Sequence, residues 1–216
     1  MGQKVNPKIF RLALTHEWES NWFAKFMNFS DFLQADAKIR TYLDKKLAGA
    51  AVAEIKINRS ANQIEVVIYT SRPGIIIGRS GSGVEEIKSD IEKQIKDKKY
   101  VVKINIQEVS EPDTNAALVG QNIAAQIEKR ISWRRAVKQS IDRAKKAGVA
   151  GIKVIVGGRL GGVEMARSES FSSGKMPLQV LSAKIDYAFC KAQTTYGVIG
   201  IKTWIYKKDD TGKGAK

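Results

Sequence analysis

Hydrophobic and polar residues alternate in three stretches of the first half of the chain, and each stretch predicts a β-strand with one buried face. The apolar positions are Ala53, Ile55 and Ile57 in the first stretch, Ile64, Val66 and Ile68 in the second, and Val102, Ile104 and Ile106 in the third. The polar segment 59–63, which contains Asn62, predicts a hairpin turn between the first two strands.

Apolar residues at helical spacing predict two helices among these strands. One stripe precedes the first strand, and the other lies between the second and third strands. The two stripes consist of Phe32, Ile39, Leu43 and Leu47, and of Val84, Ile87, Ile91 and Ile95. Ser82 and Glu85 have the spacing of a capping box at the start of the second helix. The predicted order is helix, strand, strand, short helix, loop, helix, strand.

The loop in that order is Gly78-Arg79-Ser80-Gly81, directly before the second helix. Free amides and the helix dipole favour anionic oxygens there, and glycine permits a close backbone approach. Gly-x-x-Gly loops of KH domains clamp about four nucleotides of single-stranded nucleic acid. Two glycines three apart are weak evidence alone, but the order of elements resembles a type II KH domain. We therefore predict such a domain over residues 28–110, with RNA contacts from all four loop residues.

The second half of the chain begins with two helical stripes and continues with strand-like stretches. The stripes are Val119, Ile123, Ile127 and Ile131, and then Trp133, Val137, Ile141 and Ala144. After Gly148 the period changes to two, with apolar residues at Ile152, Val154 and Val156. Further strand-like stretches cover 163–171, 178–189 and 198–206. The fold class is therefore α+β, with a C-terminal domain over 111–207 in which two helices pack on a mixed or antiparallel sheet.

The charge of the chain predicts a polyanionic partner. The net charge is +15 and the pI is about 9.8, which fits nucleic acid better than a membrane. Eight of the residues from Lys129 to Lys146 are Lys or Arg, and only Asp142 is acidic. A solvated basic face is the alternative, but this density favours RNA contact. The candidate contacts are Lys129, Arg130, Arg134, Arg135, Lys138 and Arg143.

Both ends of the chain and one glycine-rich turn supply further candidates. Residues 1–27 form a basic and aromatic arm, and its Lys4, Lys8 and Arg11 either order against RNA phosphates or stay solvated. For its aromatic residues, packing or a protein contact is favoured over base stacking. They are Trp18, Trp22, Phe23, Phe26 and Phe29.

A second Gly-x-x-Gly, at 158–161, predicts a turn between strands that brings Arg159 close to phosphate. Residues 208–216 are expected to be disordered.

The inventory of reactive side chains argues against an enzyme. Cys190 is the only cysteine, which excludes an internal disulfide and a cysteine-based zinc site. His16 is the only histidine, so a metal site built from several histidines is excluded as well. The sequence contains no Walker motif, so the chain does not look like a nucleotide triphosphatase. We predict no enzymatic activity, no cofactor and no metal. Cys190 is expected to be a small buried residue. No apolar run approaches the roughly 20 residues of a membrane span, and no signal peptide is expected.

With both halves considered, the sequence resembles the family of bacterial small-subunit ribosomal protein three over nearly its whole length. The resemblance is carried by Met1-Gly2-Gln3-Lys4-Val5-Asn6-Pro7, Trp22-Phe23-Ala24, Arg72-Pro73-Gly74-Ile75-Ile76-Ile77-Gly78, Arg134-Arg135-Ala136, Gly158-Arg159-Leu160-Gly161-Gly162, Ala166-Arg167 and Thr194-Thr195-Tyr196-Gly197-Val198-Ile199-Gly200. The sequence departs from the family pattern at two places. The KH loop has Arg79-Ser80 where the family often has two basic residues, and Ala13 stands where the family usually has glycine.

The resemblance implies a structural constituent of the small ribosomal subunit, on the cytoplasmic ribosome. Such a protein binds 16S-type ribosomal RNA in the head and lines the channel by which messenger RNA arrives. Arg134, Arg135 and Lys138 match the basic positions that face the messenger and assist its passive unwinding, and Arg167 belongs to a matching motif. The implied protein neighbours are small-subunit proteins ten and fourteen in the head, and four and five around the channel. The alternative is a free KH-type regulatory RNA-binding protein.

Overall fold

The fold consists of two compact units, described from a computed structural model. The structure describes residues 4–60, 63–94 and 100–207. Among these described residues, those from 18 to 110 form one unit, and residues 4–17 together with 111–207 form the other. The helices are α1 Pro7–Phe10, α2 Phe26–Lys46, α3 Pro73–Ile77, α4 Ser82–Gln94, α5 Ala116–Glu128 and α6 Trp133–Lys146. The strands are β1 Ser20–Asn21, β2 Val52–Arg59, β3 Gln63–Thr70, β4 Val101–Glu108, β5 Gly151–Gly158, β6 Arg167–Gly174, β7 Ile185–Thr194 and β8 Gly197–Tyr206.

The first unit is a four-stranded sheet with helices α2, α3 and α4. The strand order is β1-β2-β3-β4, in which β2 and β3 are antiparallel and β4 runs parallel to β3. Its core contains most of the predicted apolar positions of α2, β2, β3 and α4, among them Ile39, Leu43, Ile57, Ile68 and Ile91. The predicted positions Phe32, Ala53 and Val84 are only partly buried. The order α2-β2-β3-α3-α4-β4 confirms the predicted succession of elements and the KH-type fold.

Three local details of this unit differ from the sequence prediction or lie beyond it. Ser82 has helical backbone angles (φ −55°, ψ −33°), so it continues the turn before α4 and is not an N-cap. The unit also begins earlier than residue 28, because β1 pairs with β2 and α2 starts at Phe26. Ile95 and the tip of the predicted hairpin turn at 61–62 lie outside the described residues.

The second unit is a four-stranded antiparallel sheet with α5 and α6 on one face. Its strand order is β6-β5-β8-β7, which makes the sheet antiparallel and not mixed. The predicted stripes of both helices are buried on this sheet, including Ile123, Val137 and Ile141. Ile131 is the exception, because α5 ends at Glu128 and the Ile131 side chain is 40% exposed in the connection to α6. A Cβ at Gly120 would lie 2.8 Å from the Sγ of Cys190, so α5 packs directly on β7. Cys190, which the sequence predicts to be buried, is partly buried, and this burial raises the pKa of its thiol to about 11.

The predicted N-terminal arm of residues 1–27 is not one structural segment. Its described residues up to Glu17 belong to the C-terminal unit, and those from Trp18 onward belong to the KH unit. The first part is held by Arg11, whose side chain is completely buried. Arg11 donates hydrogen bonds from Nε to the carbonyl oxygen of Ala183 at 2.9 Å and from Nη2 to those of Leu178 and Val180 at 2.9 and 2.6 Å. The stretch 178–184 is consequently a loop against Arg11, and β7 begins only at Ile185.

Two remaining expectations concern the tail and membranes. The predicted tail of residues 208–216 lies outside the described residues. Among the helices of the described residues, none combines the length and apolarity that crossing a bilayer requires.

Candidate nucleic-acid interface

The KH loop is formed where α3 ends and α4 begins. Gly78 has a left-handed φ of 69° and ends α3, and Arg79–Gly81 then make one turn of 3-10 helix that leads into α4. A Cβ on Gly83 would lie 2.4 Å from the carbonyl oxygen of Ile76, so glycine is required for α4 to approach α3 this closely. Arg79 is exposed beside the N-terminus of α4, where the dipole favours anions. The predicted loop residues are thus brought together in one turn, in which Gly78 and Arg79 are exposed.

Helix α6 presents its charged face to solvent because its apolar face is anchored on the sheet. Trp133 is buried and packs edge-to-face on Phe171, with ring centroids 5.9 Å apart. Ala136, Val137 and Ala144 are completely buried below it. The opposite side forms a shallow groove lined by Ser132, Arg134, Arg135, Lys138, Gln139, Asp142, Arg143 and Lys146. We call the cations Arg134, Arg135, Lys138 and Arg143 the α6 basic surface.

Within the α6 basic surface, only Arg134 has an ion-pair partner among the residues that the structure describes. Its Nη2 lies 3.3 Å from Oε1 of Glu169, and its guanidinium lies 4.9 Å from the centre of the Trp133 ring. Arg167 contacts the same carboxylate at 3.2 Å. Glu169 therefore orients two guanidinium groups at once and compensates only one of their two charges. The remaining cations of the surface project into solvent from a helix fixed by its buried face.

Three further candidates lie in turns of the C-terminal unit. Lys129 and Arg130 are exposed in the connection from α5 to α6, and Arg130 has a left-handed φ of 62°. Arg159 lies in the predicted turn between β5 and β6, where its Nε donates to the carbonyl oxygen of Val163 at 3.0 Å and its Nη1 to that of Tyr196 at 3.4 Å. These two hydrogen bonds stabilise the turn. Arg159 is nevertheless exposed, so part of its side chain faces solvent.

The three N-terminal candidates have different environments. Lys4 is exposed. Lys8 forms an ion pair with Asp186, at 3.2 Å between Nζ and Oδ1. The prediction that Arg11 contacts RNA is wrong, because its guanidinium is buried and bound to backbone carbonyls of the same unit. Burial lowers the pKa of Arg11 from its ordinary value. Spacing alone could not distinguish this internal arginine from an external one.

The aromatic cluster around Trp22 divides into packed and exposed side chains. Trp22 packs on Phe29 and Phe32, and its Nε1 donates to Oδ2 of Asp36 at 2.8 Å. The same buried carboxylate accepts from Arg59, which ties β2 to α2. In contrast, several neighbours are exposed, with Phe23 at 93% and Phe26 at 97%. We call the exposed residues Phe23, Phe26, Met27, Phe29 and Leu33 the apolar patch.

Comparison with known families identifies the class of this protein. The family model described as "KH domain" matches residues 38–114, which cover the fold around the Gly78–Gly81 loop. The fold and this match define a KH-domain protein, a class built to bind nucleic acid.

Further matches identify the family within that class. The model described as "Ribosomal protein S3, C-terminal domain" matches residues 123–205. Small ribosomal subunit protein uS3 of Caldicellulosiruptor saccharolyticus is 50% identical over 209 residues, which cover 97% of this chain and 93% of that protein. Small ribosomal subunit protein uS3c of Guillardia theta is 50% identical over 211 residues, 98% and 97% of the two chains. The uS3 protein of Clostridium novyi is 49% identical over 207 residues, 96% and 93%. The chain therefore belongs to the uS3 family of small-subunit ribosomal proteins.

Family membership decides between the functions that the sequence left open. A protein of the uS3 family is a structural, non-enzymatic component with an RNA-binding KH domain. The ribosomal expectation is confirmed over the free regulatory protein, and the fold class is confirmed as well.

Proposed function

We propose that this protein binds 16S-type ribosomal RNA in the head of the small subunit and grips messenger RNA with the α6 basic surface. The observation that carries the messenger role is the set of cations on α6 that project from an anchored helix without ion-pair partners among the described residues. They are Arg135, Lys138 and Arg143. Cations that are not neutralised by their own chain keep their full attraction for phosphate.

The arrangement suits a single strand held by its backbone. Arg134 and Lys138 lie one helical turn apart, so they present cations to successive positions along a strand. Guanidinium groups bind phosphate in a bidentate manner, and the ammonium of Lys138 acts as a point charge. The contact of Arg134 with Trp133 and Glu169 limits the orientations of its side chain, which lowers the entropy lost on binding.

The proposed effect on messenger structure is passive. The surface binds strands that have already separated, and each phosphate contact raises the cost of their re-annealing. The free energy for opening a hairpin is supplied by translocation, since the chain carries no Walker motif for nucleotide hydrolysis.

The KH loop and the turns of the C-terminal unit supply the proposed contacts to ribosomal RNA. Arg79 offers a cation beside a helix N-terminus, and the glycine backbone permits close approach of a strand. Lys129, Arg130, Arg159 and Arg167 add exposed cations on the other unit. Contacts spread over both units predict that no single side chain carries binding to the ribosomal RNA.

The apolar patch supports contacts with neighbouring small-subunit proteins. Phe26, Phe29 and Leu33 lie at positions i, i+3 and i+7 of α2 and form one exposed stripe. Exposed contiguous apolar side chains are typical of protein interfaces. We propose that neighbours such as proteins ten and fourteen in the head, or four and five around the channel, cover such surfaces. A Phe26→Ser, Leu33→Ser variant should leave RNA affinity unchanged but reduce the co-purification of these neighbours.

The messenger role is tested with ribosomes that carry Arg134→Ala, Arg135→Ala and Lys138→Ala together. The three side chains are exposed and alanine is the best helix former, so the unit should fold, with about 1 kcal/mol lost through the Arg134 contacts. Elongation is measured on paired reporters that differ only in the stability of a downstream hairpin. We expect near-normal rates on the unstructured message and slowing on the stable hairpin.

A charge-matched variant separates this role from a general loss of positive charge. Lys175, Lys184 and Lys207 are exposed at the other end of the C-terminal sheet from Arg134. Their replacement by alanine should not produce hairpin-specific slowing. Equal slowing of the first variant on both reporters would indicate an assembly defect, and unchanged rates on both would show that the α6 basic surface does not handle messenger.

A further inference from the structure

The C-terminal sheet has a second face, opposite to α5 and α6, and only part of it is covered. Near the start of β5 and the end of β8, the segment 176–183 packs on this face over Trp204 and Tyr187. Beyond that segment, the face is open from Phe189 to the β7–β8 turn. We call this region the open sheet face.

Strand register determines which side chains share the open sheet face. One row across the sheet reads Phe189, Lys202, Ile155 and Ser170, and the next reads Lys191, Gly200, Gly157 and Ser168. Both lysines and both serines are exposed, and Phe189 is 50% exposed. The acids of these strands, Glu169 and Asp186, belong to the opposite face with Val156 and Ile152. The open sheet face therefore carries positive charge with no acid on the strand positions that form it.

The aromatic ring of Phe189 lies over backbone. A Cβ on Gly200 would come within 3.2 Å of the Phe189 ring, so the ring rests on the glycine. The ammonium of Lys191 lies 6.0 Å from the centre of the same ring. Neither Lys191 nor Lys202 has an ion-pair partner in the part of the chain that the structure describes.

We propose that the open sheet face is a second RNA-binding surface, which takes an unpaired nucleotide stacked on Phe189 with its neighbouring phosphates on Lys191 and Lys202. An exposed aromatic ring on a flat sheet is a stacking platform for a base, and flanking lysines hold the backbone on either side. Gly200 lies under the ring, and its neighbour across the sheet, Gly157, leaves the sheet low enough beside the ring for a base to lie flat. Ser168 and Ser170 add hydroxyl groups that can bond to phosphate or ribose.

This surface is independent of the α6 basic surface, since the two lie on opposite faces of the sheet. The experiment therefore uses the full chain carrying Arg134→Ala, Arg135→Ala and Lys138→Ala as its starting protein. Two probes are compared by fluorescence anisotropy, a single-stranded uridine decamer and a blunt RNA duplex. The measurements with both RNA probes use a protein without Arg134, Arg135 and Lys138. Their result therefore does not depend on whether the messenger proposal is correct.

Phe189→Ala should lower affinity for the decamer by about fivefold or more and leave duplex binding unchanged, because only an unpaired base can stack. Lys191→Gln with Lys202→Gln should reduce the slope of log affinity against log salt by about 1.4, which corresponds to two phosphates on a single strand. Lys175→Gln with Lys184→Gln is the matched control, since these exposed lysines lie at the far end of the sheet.

Phe189→Leu keeps an apolar side chain over Gly200 and tests whether the aromatic ring itself matters. With its melting temperature equal to that of the starting protein, it should lose decamer affinity as Phe189→Ala does. Decamer affinity equal to that of the lysine control in both Phe189 variants would overturn the proposal. So would an equal loss on the duplex, which would point to a surface without base stacking.

Discussion

Arg11 donates a hydrogen bond of 2.9 Å from its Nε to the carbonyl oxygen of Ala183, which lies 172 residues further along the chain. Together with the bonds from Nη2 to two further carbonyls, this contact fixes the loop between β6 and β7 to the N-terminal segment. The loop in turn covers part of the second sheet face through Met176 and Leu178. A basic residue near the N-terminus is thus an internal support of the C-terminal unit.

Arg11→Met is expected to destabilise the C-terminal unit strongly. The substitution leaves the carbonyl groups of Pro7, Leu178, Val180 and Ala183 without their charged donor, and hydrogen bonds to charged groups contribute about 1.5 to 3 kcal/mol each. We expect the free energy of unfolding to fall by about 3 kcal/mol or more, measured by hydrogen exchange of the β7 amides. Arg11→Lys retains the charge but not the planar fork, so its loss should be smaller. If Arg11→Met left the free energy of unfolding unchanged but reduced RNA affinity, Arg11 would instead be an RNA-contacting residue.

Ala13→Gly is expected to stabilise the same unit. Ala13 has a φ of 65°, in the left-handed region that costs an ordinary residue about 1 to 2 kcal/mol. Glycine removes that strain but costs about 0.5 to 1 kcal/mol of chain entropy, so the net gain should be about 0.5 to 1 kcal/mol. Ala125→Gly, at an exposed position within α5, is the matched control and should lose about 1 kcal/mol. Chemical denaturation measures the free energy of unfolding of both variants. A lower free energy of unfolding for Ala13→Gly would show that the left-handed turn is not strained.

The KH unit should lose stability at low pH through Asp90. The hydroxyl of Tyr42 and the ammonium of Lys46 bond to Asp90 at 2.5 and 2.9 Å, and they lower the pKa of its carboxyl from 3.8 to about 2. A lowered folded-state pKa means that the stabilisation is complete above pH about 4 and is lost as the pH falls toward 2. Carbon-13 NMR titration should give a midpoint near 2, which Tyr42→Phe should raise because the tyrosine bond is the largest cause. An unshifted midpoint in that variant would assign the effect to Lys46.

The hydrophobic periodicity was sufficient to predict both folds because it records which side of each element is buried. Ile57 and Ile68 in the KH unit, and Val137 and Ile141 on α6, are buried where the stripes placed them. Periodicity carries no information about residues in irregular segments. The burial of Arg11 depends on a loop more than 160 residues away, so no local pattern could have revealed it.

Local periodicity also determines which basic surfaces can be recognised from the sequence. The α6 basic surface lies on a regular helix, where the spacing of Trp133 and Val137 fixes the direction of Arg134 and Lys138. The open sheet face combines residues from four strands, and its charge becomes visible only when the register aligns Phe189 with Lys202. Lys191 and Lys202 lie on different strands, so the sequence of either strand alone does not show that they share a surface. The surface can be recognised only once the order and register of the strands are known.

The last prediction concerns the KH loop, changed by Arg79→Asp and Ser80→Asp. The loop is an exposed turn before α4, and carboxylates beside a helix N-terminus are favoured by the dipole, so the unit should remain folded. The variant reverses the charge at the point where a strand would approach, and it should lower affinity for short single-stranded RNA several-fold. Loss of one phosphate contact should also reduce the salt slope by about 0.7. Lys88→Asp with Ser89→Asp makes the same charge change on exposed positions further along α4 and should weaken binding less. Equal affinity of the loop variant and the parent, both folded by circular dichroism, would show that RNA reaches this protein through the C-terminal unit alone.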